Sequence, residues 1–81
     1  MRVTQVEHIK NFELKVKFYN GKSKTIDFKN FLKKAVNPMT SKYYNVNRFK
    51  KVKIEHGYLS WGNNEMDLSG ESLYNWEKYS D

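Results

Sequence analysis

The chain has 81 residues, enough for one domain with a single hydrophobic core and little room for a deep pocket. It contains no cysteine, so disulfides and thiolate metal sites are excluded. The net charge of +6 is unevenly spread: residues 1–53 carry fourteen Lys or Arg against three acids, and residues 54–81 carry one Lys against six acids. This asymmetry predicts a basic face suited to an acidic or polyanionic partner.

The first ten residues, MRVTQVEHIK, alternate polar and apolar side chains and lack the basic start and apolar run of a signal peptide. No stretch approaches the ~20 consecutive apolar residues that a membrane-spanning helix needs. We therefore expect residues 1–81 to form a single soluble domain in the cytoplasm.

Two strands are predicted at the start of the chain. The first covers residues 3–9, and its register stays open because Val3 and Val6 differ in parity. The second covers residues 12–18, whose strict alternation of apolar and charged side chains is the clearest strand signal in the sequence.

A hairpin turn and a change of period follow. Asn20 and Gly21 both tolerate positive φ, which predicts a tight turn and a third antiparallel strand over residues 24–28. Apolar residues at helical spacing then predict a short amphipathic helix over residues 28–36, with Asp27 as its N-cap.

The segment after this helix carries few structural signals. Pro38 is expected to end the helix, because the residue before a proline is steered out of the helical region. Residues 37–45 are predicted to form a loop that exposes Tyr43 and Tyr44. Residues 45–48 are predicted to form either a turn or a single helical turn.

Residues 49–62, FKKVKIEHGYLSWG, predict the hairpin at the core of the domain. His56 and Gly57 supply its turn, because glycine enters the positive-φ region without steric cost. The side chains assigned to the buried face are those of Val52, Ile54, Leu59 and Trp61.

The last third of the chain predicts a loop over residues 62–65, a short extended piece over 66–68 and a C-terminal helix over 70–79 with Ser69 as its N-cap. The predicted fold class is therefore α+β. We expect an antiparallel sheet of about five strands in two hairpins, with the short middle helix and the C-terminal helix packed on one face.

The order of these segments resembles a bacterial family known as domain of unknown function 2442. The matching stretches are LKVKFYNGK, IDFKNFL, RFKKVKIEHGYLSW and MDL followed by SLYNW, and they cover most of residues 8–76. The matched positions are apolar core residues and turn residues. The resemblance therefore implies a small α+β fold and very little about function.

The resemblance also suggests a setting. Some relatives are fused to a helix-turn-helix DNA-binding domain, and some are encoded beside another small uncharacterised family in an arrangement that looks like toxin–antitoxin pairing. We expect this chain to lack the helix-turn-helix, which disfavours sequence-specific DNA binding and favours a partner protein.

The reactive side chains do not form a catalytic or metal-binding pattern. His8 and His56 are the only histidines, and neither has further ligands at a spacing that a metal site needs. There is no nucleophile and base pair, no glycine-rich phosphate loop and no paired-carboxylate spacing. We expect no enzymatic activity, no metal and no cofactor.

The candidate contact residues are cations and tyrosines. If both hairpins belonged to one sheet, their outward lysines would line a common face and form a track for phosphates. The alternative is a solvated surface whose edge lysines block aggregation between strands. Exposed tyrosines are typical of protein interfaces and also stack nucleic-acid bases. The candidates are Lys15, Lys17, Lys51, Lys53, Tyr43, Tyr44 and Arg48.

Two functions remain open at this point. The first is a non-enzymatic protein-interaction module, the antitoxin-like partner in a two-gene bacterial system, which binds a protein encoded by a neighbouring gene. The second is a basic accessory domain that binds nucleic acid without sequence preference through its lysines. Nothing in the sequence identifies the partner or the oligomeric state.

Overall fold

The computed structural model describes residues 1–79, and it divides them into three strands, three short helices, three further strands and two short helices. The elements in chain order are β1 (Val3–Lys10), β2 (Glu13–Phe18), β3 (Ser23–Asp27), α1 (Lys29–Lys33), α2 (Pro38–Ser41), α3 (Val46–Phe49), β4 (Lys53–Glu55), β5 (Tyr58–Trp61), β6 (Met66–Leu68), α4 (Gly70–Tyr74) and α5 (Trp76–Tyr79). The predicted α+β class is confirmed. The single sheet of about five strands is wrong, because the strands form two sheets of three.

The first sheet consists of β1, β2 and β3, with β2 in the centre and antiparallel to both neighbours. Along β2, Leu14, Val16 and Phe18 are buried while Lys15 and Lys17 are exposed. The alternation in the sequence therefore sorts these side chains between the core and solvent, as predicted.

A β-bulge in β1 resolves the register that the sequence left open. Val3 pairs with Phe18, but the next pair joins Gln5 to Lys17, so β1 contains one more residue than β2 at this point. The extra residue changes the parity of the strand. Val3 and Val6 can consequently both face the core although they lie three positions apart.

The second sheet consists of β4, β5 and β6, with β5 in the centre. His56 and Gly57 form the predicted turn, with φ values of 51° and 85°, and a two-residue turn with two positive φ values matches the twist of the strands. Leu59 and Trp61 are fully buried. Ile54 is 37% exposed and lines a surface depression together with Lys15 and Lys17 of the first sheet, so its predicted burial is wrong.

The two sheets meet at the edges of β1 and β4. The backbone N–H of Val3 donates to the carbonyl of Gly57 at 2.8 Å, but β1 and β4 form no ladder among the described residues. One β-bulge lies between Val3 and Gln5, next to this bond, and a second lies between His8 and Lys10. The two sheets are therefore joined at this edge but remain separate.

An aromatic cluster fills the space between the sheets and helices. The Phe49 ring stacks on Trp61 with centroids 5.7 Å apart, and the Trp61 indole N–H donates to the Phe49 carbonyl at 2.8 Å. Phe28 packs against Trp76 at 4.9 Å. Buried rings supply a large apolar area, which a domain of this size needs for stability.

The middle helix is shorter than predicted. It spans only Lys29–Lys33, and Val36, which the prediction placed in the helix, is 95% exposed. Asn37 is extended and caps α2 through its side chain, with Pro38 at the first helical position. Proline therefore begins a helical turn inside the segment predicted as a loop, because the first turn needs no N–H from that position.

The C-terminal helix is divided into two. The Ser69 hydroxyl accepts from the backbone N–H of Ser72 at 3.1 Å, which confirms the predicted N-cap. The helical dihedrals then break at Asn75, and α5 follows. Lys24 of β3 ties this end to the first sheet, because its Nζ donates to the Tyr74 carbonyl at 2.8 Å.

Candidate functional site

A basic depression lies beside β4, where the segment between α2 and α3 meets the second sheet. Its volume is about 500 Å³. Arg48, Lys51 and Lys53 are exposed cations at its surface, as the sequence predicted for three of the candidate residues. We call it the basic depression, and its lining residues are Lys42, Tyr43, Arg48, Lys51, Lys53 and Gly62.

The position of Arg48 and Lys51 follows from local structure. The Asn45 side chain caps α3 by accepting from the backbone N–H of Arg48, and the N–H of Lys51 donates to the Arg48 carbonyl at 3.2 Å. Phe49, between them, is fully buried in the aromatic cluster. Because Phe49 anchors this turn in the core, its charged neighbours are directed to solvent.

A carboxylate joins two sides of the basic depression. Glu65, in the loop between β5 and β6, accepts from the Tyr43 hydroxyl at 2.7 Å and from Lys42 Nζ at 2.6 Å. Gly62 lies beneath these groups, and a Cβ there would collide with the Tyr43 hydroxyl and the Glu65 carboxylate. Gly62 also has a φ of +66°, which favours glycine.

The ionisation of these groups is fixed by their contacts. Burial, together with the hydrogen bond to Glu65, raises the pKa of Tyr43 to about 12. Hydrogen bonds from Lys42 and Tyr43 hold the pKa of Glu65 below its usual value. At neutral pH the phenol is therefore protonated, and the charges of Lys42 and Glu65 offset each other.

The two adjacent tyrosines have different environments. Tyr43 is 5% exposed and packs against Trp61, so the prediction that it is exposed is wrong. Tyr43 nevertheless lines the basic depression, and its hydroxyl bonds to Glu65. Tyr44 is 42% exposed and lies on the ring of Phe12 at 5.1 Å, as expected for a partly open aromatic residue.

Lys15 and Lys17 lie on a different surface. They project from the outward face of the first sheet and line a second depression of about 720 Å³ together with Glu7 and Ile54. Successive residues of β4 serve different depressions, since Lys53 lines one and Ile54 the other. The expected common face of four lysines is thus split in two.

The histidines take structural positions. The His8 Nε2 lies 2.8 Å from the Asn11 carbonyl, and His56 occupies the β4–β5 turn. Within residues 1–79, no group of three or more His, Cys, Asp or Glu side chains could hold a metal ion. None of the helices in this part of the chain is long and apolar enough to cross a membrane.

Sequence reasoning missed two lining residues of the basic depression, Lys42 and Gly62, and also Glu65, the carboxylate to which Lys42 bonds. Lys42 and Glu65 are 23 positions apart and belong to two predicted loops. No periodicity connects such positions. The one available signal was a glycine directly after a buried strand, which is typical of a close approach by other groups.

Comparison with known proteins identifies a family and no individual relative. The model of the family described as "Protein of unknown function (DUF2442)" matches residues 3–79. Searches of curated proteins and of solved structures find no match.

Proposed function

This chain belongs to the DUF2442 family, and we propose that it acts as a non-enzymatic protein-interaction module whose basic depression binds an acidic surface of a partner protein. The observation that carries the proposal is the set of three cations in the depression, Arg48, Lys51 and Lys53. None of them forms an ion pair with a carboxylate in the described part of the chain.

The three cations act together electrostatically. A single exposed ion pair contributes only about 0–1 kcal/mol, so one exposed lysine would be weak evidence for a binding site. Several cations in one concave site raise the local potential, which speeds association and selects partners of opposite charge. The basic depression therefore suits specific contact with an acidic partner.

The residues that line the basic depression favour protein over nucleic acid as the partner. Base stacking requires an accessible ring face, but the Tyr43 ring is buried and its hydroxyl is bonded to Glu65. Base-edge contacts rely on arginine more than on lysine, and Arg48 is the only arginine that lines the depression.

The proposal includes a genetic setting. The sequence resemblance suggests relatives that are encoded beside another small protein, in the manner of toxin–antitoxin pairs. We propose that this chain is the antitoxin-like half of such a pair in the bacterial cytoplasm.

Co-purification tests the proposal. The tagged chain should be co-expressed with the product of the adjacent gene and purified under conditions in which each protein is soluble alone. We expect a stable complex with a defined stoichiometry by size-exclusion chromatography with light scattering. A chain that elutes alone while the neighbour is present and folded would contradict the proposal.

A second candidate function is lysine-mediated nucleic-acid binding without sequence preference. It is favoured by the excess of cations in residues 1–53 and by their spread over two depressions. Such binding should weaken steeply with salt, because it releases condensed counterions. Titration of labelled single-stranded DNA and RNA decides: no binding at low salt would remove this candidate.

A further inference from the structure

Two residues that line the basic depression, Lys42 and Tyr43, are already bonded to one carboxylate. Glu65 accepts from two groups on the opposite side, Lys42 Nζ at 2.6 Å and the Tyr43 hydroxyl at 2.7 Å. The charge of Arg48 also helps to lower the pKa of Glu65, so the guanidinium lies within electrostatic reach of the same carboxylate. The chain's own side chain thus shows which functional group this site accepts.

The cations exceed what this single carboxylate can neutralise. Glu65 is bonded to Lys42, whereas Arg48, Lys51 and Lys53 line the same depression with no carboxylate within 4 Å among the described residues. All three are exposed. The remaining positive charge can accept further carboxylates beside Glu65.

We infer that the basic depression recognises a run of Asp or Glu side chains on an acidic segment of the partner, and that Glu65 is a built-in competitor for part of this site. The inference rests on the proposed function and specifies the chemistry of the partner. An acidic segment would contact Arg48, Lys51 and Lys53 first and would reach Lys42 only where it displaces Glu65.

A substitution of Glu65 can distinguish competition with an acidic ligand from a purely structural contribution of this residue. Glu65→Gln keeps an oxygen that can accept from the Tyr43 hydroxyl but removes the negative charge. Lys42 is then left without its ion-pair partner. The variant should therefore bind an acidic ligand more tightly than the original chain, although a merely structural role for Glu65 predicts weaker binding or none.

Fluorescence anisotropy with labelled hexaglutamate provides the test. The variant Arg48→Ala/Lys51→Ala/Lys53→Ala should bind about tenfold or more weakly, as expected for the loss of three modest ion pairs. The matched control, Lys10→Ala/Lys15→Ala/Lys17→Ala, removes the same charge from exposed positions of the first sheet and should change the affinity by less than about threefold. Glu65→Gln should strengthen binding by about threefold or more, because it frees Lys42.

Three outcomes would overturn the inference. The first is equally weakened hexaglutamate binding in the two triple variants, which would show that the peptide is attracted by net charge alone. The second is tighter binding of hexathymidylate, a phosphate polyanion of similar length, than of hexaglutamate. The third is unchanged or weaker binding by a folded Glu65→Gln chain. Circular dichroism establishes that each variant is folded.

A measurement on the unaltered chain avoids the risk of unfolded variants. In a titration with hexaglutamate followed by ¹⁵N NMR, the largest shifts should fall on the amides of Arg48, Lys51, Lys53 and Gly62. Shifts centred on Lys15 and Lys17 would refute the inference. If the Arg48/Lys51/Lys53 variant captures the partner as well as the original chain does, the inference and the basic depression as contact surface both fail, and only the protein-interaction role stands. If hexaglutamate binds as expected but no partner is captured, recognition of acidic segments stands and the protein-interaction role fails.

Discussion

The two sheets of this domain are held together in different ways. In the first sheet, strands of five to eight residues pair along their length, and alternating aliphatic side chains cover the core. In the second sheet, strands of three or four residues depend on contacts from distant parts of the chain. Trp61 bonds to the Phe49 carbonyl, and the loop after β5 is held by Tyr43. The local pattern therefore determines the first sheet, and tertiary contacts determine the second.

This difference extends to the candidate site. The basic depression adjoins the second sheet, where three loops and turns meet. Side chains that come from separate segments can form a concave cluster of charge, whereas the outward lysines of β2 stand in one row beside Glu7 of the neighbouring strand. The sheet that depends on long-range contacts is consequently the one that offers a distinctive binding surface.

The comparison is tested most severely by Trp61→Ala. This change removes the largest fully buried side chain and leaves the Phe49 carbonyl without its indole donor. We expect a loss of about 3–5 kcal/mol in the free energy of unfolding, a large fraction of the stability of a domain of this size. Urea denaturation followed by circular dichroism measures it. Tyr19→Ala, at a position that is 68% exposed, serves as control and should change stability by less than about 0.5 kcal/mol.

Lys24→Met tests how the first sheet is joined to the C-terminal helices. The ammonium donates to the Leu73 and Tyr74 carbonyls and pairs with Glu77, which is itself largely exposed. We expect a loss of about 1–2 kcal/mol, mainly from the carbonyl contacts. The melting temperature reports it. Lys15→Met, on the same sheet but with its side chain in solvent, should melt as the original chain does; equal losses in both variants would refute a specific role for Lys24.

Tyr43→Phe tests the contact between the helical segment and the second sheet. Removal of the hydroxyl should cost about 1 kcal/mol near neutral pH, because Glu65 loses one of its two donors. The pKa of Tyr43 is raised to about 12 in the folded state. Its stabilising contribution is therefore complete below the unfolded value of about 10 and is lost as the pH rises through 12.

Tyr43→Phe should accordingly be less sensitive to alkali than the original chain over this range. Denaturation midpoints measured from neutral to alkaline pH provide the comparison, and Tyr44→Phe is the matched control with an exposed ring. If both variants follow the same alkaline profile as the original chain, the hydroxyl of Tyr43 is not coupled to folding.

The smallest expected effect is the acid dependence of Glu65→Gln. Because the pKa of Glu65 is lowered in the folded state, its contribution to stability is present above the unfolded pKa and disappears as the pH falls through the folded value. The variant should be slightly less stable than the original chain near neutral pH, because an exposed ion pair contributes little. The difference should vanish in acid. A difference that stays constant with pH would mean that the charge of Glu65 has no part in it.

Features that neighbouring residues encode were predictable from the sequence in both sheets, whereas features that depend on a partner strand were not. Alternation along residues 12–18, the turn at Asn20 and Gly21 and the turn at His56 and Gly57 are all encoded by neighbouring residues. The register of β1 was not predictable in the same way, because a bulge depends on how the strand pairs with its partner strand, here β2.

The candidate site was predictable only in part. Arg48 and Lys51 are exposed on either side of the buried Phe49, and Lys53 is exposed at the start of β4. The sequence shows this pattern of cations around apolar residues. The burial of Tyr43 depends on Trp61 and Glu65, which lie about twenty positions further along the chain. Local propensity contains no information about such a contact, so the adjacent tyrosines appear equivalent until the fold is known.

Zero-length cross-linking of the complex between this chain and its captured partner tests the binding surface most directly. A carbodiimide joins a lysine amine to a carboxylate that it contacts, and mass spectrometry identifies the two residues. We predict cross-links from Lys51 and Lys53 to Asp or Glu residues of the partner. Cross-links from Lys15 and Lys17 alone, with none from Lys51 or Lys53, would contradict the assignment of the basic depression as the contact surface.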